Sequence, residues 1–159
     1  MTNFADILNK PVSEIERPPN VPVGEYIARV TKMPELGEAG QGKWKTIVIP
    51  MTLTEAMPNV DAEDLEKFGG LHGNPAASVR HQFMFSTDTD ATSQANNERT
   101  QFNAKRFFSE HLKVEGDTLS QMMANSVGSE CMVSIKWQVD KDDPEITYAR
   151  IAKTAPINT

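Results

Sequence analysis

The chain has 159 residues, 38% of them hydrophobic and 24% charged, a globular balance that excludes collagenous, mucin-like and fully disordered classes and a length that favours one domain around one core. Its apolar runs are short against the roughly 20 residues a helix needs to cross a bilayer, and the single Cys131 excludes an internal disulfide or a multi-cysteine metal site and suits a reducing cytoplasm. The formal net charge of −6, taken as an average, argues against a polyanionic partner. Residues 1–6 carry neither a basic cap nor an apolar stretch, so the expectation is a chain that stays in the compartment where it is made.

Residues 1–22 read as an extended leader. Pro18, Pro19 and Pro22 follow an acidic Ser13-Glu14-Ile15-Glu16, and one short helical turn is expected around Phe4–Leu8. The folded domain is then expected over 23–157. Residues 26–33 and 43–53 are rich in β-formers and read as the first two strands, with the glycine-rich 35–42 as the hairpin loop between them. Residues 59–68 combine a capping residue, acids in the first turn and a terminating Gly69-Gly70, the pattern of a short acidic surface helix.

Residues 78–86 alternate Val79, His81, Phe83 and Phe85 with Arg80, Gln82 and Met84, a third strand with one apolar face. The polar 87–97 reads as a loop. Ala104, Phe107, Phe108, His111 and Leu112 recur at helical spacing in 98–112, with Gly116 as the stop. Asp117 or Thr118 caps a second, shorter helix containing Leu119, Met122 and Met123. Strict alternation returns in 131–139 and, after a turn at 140–145, a last strand covers 146–153. The fold class is therefore mainly β with α. The order of three strands, helix and two strands is that of the five-stranded Greek-key barrel called the OB-fold, a fold that binds oligonucleotides on one side.

The five expected strands hold Arg29, Lys32, Lys43, Lys45, Arg80, Lys136, Arg150 and Lys153 and no Asp or Glu. Acids are disfavoured in strands in any case, but retention of eight bases points to an electrostatic groove for a phosphate backbone. Binders of single strands also need flat side chains on which bases stack. Trp44 lies between Lys43 and Lys45, and Tyr148 shares a strand face with Arg150. Arg29, Lys43, Trp44, Lys45, Arg80, Lys136, Tyr148 and Arg150 are accordingly the candidate nucleic-acid-binding residues. Trp137, Phe83 and Phe85 fall on the apolar side of their strands and are expected in the core, and Lys105 and Arg106 on a solvated helix face.

Gly37 to Lys43 matches the spacing of a phosphate loop. Trp44 nevertheless stands where a Ser or Thr must hold Mg²⁺, and a β-rich run follows where a helix must begin. His72, His81 and His111 have no carboxylate or cysteine at ligand spacing, so no metal or cofactor is expected and His81 and His111 read as packing residues. Cys131 reads as a buried thiol. The acids of 61–66 lack the glycine and spacing of a calcium loop. No constellation of residues indicates an enzyme.

Phe4-Ala5-Asp6-Ile7-Leu8, Ile15-Glu16-Arg17-Pro18 and Pro22-Val23-Gly24-Glu25-Tyr26, together with Val60-Asp61-Ala62-Glu63, Gly69-Gly70 and Tyr148-Ala149-Arg150-Ile151, resemble bacteriophage-encoded proteins related to phage single-stranded-DNA-binding proteins. The resemblance implies an OB-like barrel that coats single-stranded DNA during phage replication or recombination, in the cytoplasm of the infected bacterial host. Single-stranded DNA is the partner it points to, with phage replication or recombination proteins and further copies of the chain as second partners and no role for a membrane. The closing Ala155-Pro156-Ile157-Asn158-Thr159 departs from the acidic tail common among such proteins. The rival expectation is a non-enzymatic structural or adaptor protein of a phage particle or replication complex, using its barrel for protein contacts. Convergence of Arg29, Arg80, Lys136 and Arg150 on one groove favours DNA, and their scatter favours the adaptor.

Overall fold

Three runs of alternating residues, Tyr26/Ala28/Val30, Ile49/Met51/Leu53 and Cys131/Val133/Ile135, send every second side chain to one side, and all nine are at most 1% exposed. Each supplies about 1.5–3 kcal/mol if it is a fully buried large aliphatic, less for the alanine and the thiol. In the computed structural model, which describes residues 3–15 and 19–157, these runs lie on adjacent strands of a six-stranded antiparallel sheet. Glu16, Arg17 and Pro18 of the expected leader and the final Asn158-Thr159 lie outside the described residues.

The strands are β1 (Gly24–Val30), β2 (Glu35–Ala39), β3 (Trp44–Ala56), β4 (Ser78–Ser86), β5 (Glu130–Val139) and β6 (Thr147–Ala155). They run β2-β3-β1-β5-β6, with β4 on β3. Both β1 and β2 pair with β3, through Val30↔Met51 and Glu35↔Val48, while β4 follows β3 from Trp44↔Ser86 to Thr52↔Ser78. β1 and β2 thus lie end to end on one edge of β3, and β4 takes the other. The sheet is not closed: β4 and β6 come within 8 Å Cα to Cα without forming a ladder.

The extra strand corrects the sequence reading, which had 35–42 as loop. Glu35–Ala39 pairs residue by residue with Trp44–Val48, and only Gly40–Lys43 turns the chain. Gly40, Gln41 and Gly42 there take positive φ of 60°, 59° and 85°, so glycine relieves two of the three left-handed positions. Gly37 misled because glycine reads as turn signal when its cross-strand neighbour is unknown.

The helices are α1 (Phe4–Asn9), α2 (Ala62–Phe68), α3 (Ala91–Arg106) and α4 (Leu119–Asn125). Capping of α2 falls to Asp61, whose carboxylate accepts from Asp64 N at 2.9 Å. Asn59, at the head of that segment, ties to β1: its Oδ1 accepts from Glu25 N at 3.0 Å. α4 is capped by Thr118, which accepts from Gln121 N. α3 starts seven residues earlier than the apolar spacing suggested, inside the expected loop 87–97. Asp90 caps it, and Asn97 brackets Ser86 of β4, accepting from its N at 2.8 Å and donating to its carbonyl at 2.9 Å. Polar bonds to β4, rather than an apolar stripe, hold that first half.

Beyond Arg106 the helix widens to a π-turn over Phe107–His111 that drives Phe107 and Phe108 into the core at 1% and 0% exposure. It stops at Lys113, which takes a left-handed φ of 57° while Val114 N donates to Phe108 O at 2.8 Å. The stop is therefore three residues before Gly116, the expected terminator. Among the described residues no helix is long and apolar enough to cross a membrane.

Candidate nucleic-acid interface

The eight candidate residues fall in three places. At the tip of the β2–β3 hairpin, Lys43 sits in the turn, and Trp44 is 39% exposed with its ring over Gly40, where a Cβ would lie 3.1 Å from Cδ1. Lys45 stands opposite Glu38 and pairs with it, and that hydrogen bond holds the Glu38 carboxyl below the usual range. Lys45 is therefore already ion-paired. In the second place, Arg29 faces Thr52 on β3 and Arg80 faces Pro50. Two residues along and two strands across separate them, about 12 Å by standard strand spacings. Arg29 pairs with Glu130 at 3.4 Å, while Arg80 has no ion-pair partner among the described residues.

The third place is built on β5 and β6. Lys136 stands directly opposite Arg150 and Gln138 opposite Tyr148, on the outer face, and all four are exposed. Lys153 joins them through a register shift between Ser134 and Ile135 that sets it opposite Ser134. In a regular strand Arg150 and Lys153 point to opposite faces, being three residues apart. The extra residue of the bulge restores Lys153 to the face of Arg150, and only that shift, invisible to alternation, brings it in. Lys136 and Lys153 line a groove of about 390 Å³ with Ser134, Glu25 and Asn59.

The three places are well separated. Arg29 lies opposite Glu130, six residues from Lys136 on β5, or about 20 Å. Trp44 lies opposite Ser86, six residues from Arg80 and so about as far. The structure thus brings Lys136, Tyr148 and Arg150 together and adds Lys153. It does not gather all eight candidates in one groove. The charge partition also shrinks, because the observed strand bounds add Glu25, Glu35, Glu38, Glu55 and Glu130 and lose Lys32 and Lys43. The acid-free surface that survives is the outer face of the paired β5–β6 ribbon from Met132 onward. Its hairpin tip is different, with Asp140, Asp142, Asp143 and Glu145 against Lys141.

Trp137, expected in the core, is 51% exposed. It points to the apolar side of β5, but the sheet there extends past the body, and its indole Nε1 donates to Val21 O at 2.8 Å. Asn20 makes a second tie, donating to Thr147 O at 2.9 Å. Cys131 is buried, and burial pushes its thiol up to about 12. His81 packs at 4.8 Å against both Phe83 and Phe107; burial, then neighbouring His111, lowers its pKa to about 4. Among the described residues no three His, Cys, Asp or Glu side chains gather as metal ligands. Compared with known proteins, the chain matches no family model and no curated sequence.

Proposed function

We propose that the chain is a non-enzymatic single-stranded-DNA-binding protein, of the phage class it resembles, built on an OB-fold-like barrel and acting without sequence specificity in replication or recombination. The observation that carries this reading is the β5–β6 ribbon, where Lys136, Arg150 and Lys153 share one exposed face with Tyr148, and Glu25 of β1, opposite Ser134, is the carboxylate at its edge. Cations at ribbon spacing neutralise successive phosphates, releasing counterions, and a half-exposed Tyr148 offers a ring to one base. The acidic hairpin tip repels phosphates, so the strand crosses the ribbon rather than passing over its end. The barrel reading is supported by strand order: β1 with β2 as one bent strand, then β3 and β4, the helix, and β5 and β6, with β4 and β6 converging.

Fluorescence anisotropy with a labelled thymine oligonucleotide and a matched duplex, each at low and moderate salt, tests the reading. Tight, salt-sensitive binding to the single strand alone is the expected result. Absence of binding at low salt overturns it and leaves the adaptor reading. Two observations favour that rival. Arg29 and Arg80 lie away from the ribbon, and α1 shows Phe4, Ile7 and Leu8 at 72%, 56% and 66% exposure, an apolar face available to a protein partner.

A further inference from the structure

Where β4 and β6 converge without pairing, the open seam holds a cavity of about 440 Å³. Its apolar wall is Phe83 and Phe107, with ring centres 5.7 Å apart. The rest of its lining is His81, Asn103, Arg106, His111, Lys153 and Thr154, two permanent cations with imidazole, amide and hydroxyl groups and no carboxylate. Glu110, outside the lining, accepts from Arg106 Nε at 3.0 Å and so orients the guanidinium while its terminal nitrogens keep no ion-pair partner among the described residues. Across the seam His111 Nδ1 lies 2.7 Å from Thr154 Oγ1, which joins the π-turn to β6 and fixes the imidazole at the cavity edge.

We propose that this seam cavity is a phosphate-binding site, in which Arg106 and Lys153 supply the charge and His111, Asn103 and Thr154 the hydrogen bonds to a phosphate group. Guanidinium and ammonium donors converging from two elements suit a tetrahedral oxyanion, since charge-assisted hydrogen bonds are about twice as strong as neutral ones. The cavity exceeds the size of orthophosphate, and its Phe83 and Phe107 wall accommodates the organic group a phosphate terminates. Lys153 lines both this cavity and the groove on the outer face of the ribbon, so the end of a strand crossing the ribbon reaches the seam. That last step rests on the DNA-binding reading; the phosphate site itself does not. The imidazoles report the local field. Burial and then Arg106 hold His111 below its ordinary range, so a bound anion raises it. The charged and titratable groups that face His111 are Arg106 and Glu110 from its own helix, His81 from β4 and Lys153 from β6.

Side-chain NMR of His81 and His111 in the full-length protein, titrated with inorganic phosphate and with chloride at matched ionic strength, is the test. Saturable shifts with phosphate alone, and a higher titration midpoint for His111 when phosphate is bound, are expected. Arg106→Gln should weaken phosphate binding about tenfold, the scale of one lost charge-assisted contact. Lys153→Gln should do the same and decides the matter if the first variant fails to fold. Shifts that grow linearly, or equally with chloride, overturn the proposal and mark an adventitious ion only. Thymine oligonucleotides bearing a 5′-phosphate, a 3′-phosphate or neither then separate the sources. Preference for one phosphorylated end supports a strand terminus, and phosphate binding with no oligonucleotide binding leaves the site standing while the function proposed above fails. Oligonucleotide binding without phosphate shifts has the opposite meaning.

Discussion

The two halves of β5 obey the same alternation and meet opposite fates. In Cys131–Ile135 every second residue is covered, at 0–1% exposure for Cys131, Val133 and Ile135. Two residues on, Trp137 and Val139 continue the same side of the strand at 51% and 53% exposure. The first half has β1 beside it, from Gly24↔Ile135 to Arg29↔Glu130, and Phe107 and Phe108 of the π-turn in the core it faces. The second half pairs with β6 and, among the described residues, with no strand on its other edge. Alternation therefore says which side chains share a face, and the presence of an opposing layer says whether that face is core.

That contrast is most strongly tested by truncation. Ile135→Ala should cost about 2–5 kcal/mol, the range for a fully buried aliphatic, while Val139→Ala should stay within about 0.5 kcal/mol. Urea denaturation of both variants compares the halves directly, and equal losses would break the distinction. The core side carries a pH signature of similar size. His81 is neutral when folded, with a pKa near 4 against 6.5 for the free side chain. Its contribution is fully present above about pH 6.5 and is lost as pH falls toward 4, for a total on the order of 3 kcal/mol. Urea midpoints across that window should fall in the wild type and fall less in His81→Gln.

Smaller effects probe the exposed half. Tyr148→Ala should weaken thymine-oligonucleotide binding by about 1–3 kcal/mol, the scale of one stacked base, with thermal stability nearly unchanged; a loss of stability without loss of binding would assign Tyr148 to structure. Trp137→Phe keeps the apolar ring but removes the donor to the Val21 carbonyl and should cost about 1 kcal/mol. Lys136→Ala should flatten the dependence of log affinity on log salt by about one unit, while Lys45→Ala, already paired with Glu38, should change it less. An equal effect for both lysines would show that the hairpin tip contributes as much as the ribbon.

Most of the elements were legible because they rest on local rules. Alternation located β4 at 78–86 with both ends correct, and acids followed by paired glycines located α2. What escaped was set by partners distant in sequence. Glu35–Ala39 becomes a strand because β3 passes beside it, although its own composition of Glu, Leu, Gly and Ala has little strand preference. The first half of α3 is helical because Asn97 grips the backbone of Ser86, which no helical pattern encodes. The candidate site shows the same division. Tyr148 and Arg150 share a face by spacing alone, and cross-strand register then set Lys136 opposite Arg150.

The sequence by itself thus determined the mainly β class, the burial of Cys131 and the packing of His81, since each follows from side-chain period and polarity along a few residues. Tertiary structure alone decided that Trp137 stays half exposed, that Glu38 pairs with Lys45, that a bulge turns Lys153 toward Arg150, and that β4 and β6 leave an open seam between them. Each of these depends on which backbone lies 4–5 Å away across a ladder, or fails to, and that neighbour is chosen by the whole chain's packing rather than by the residues whose environment it sets.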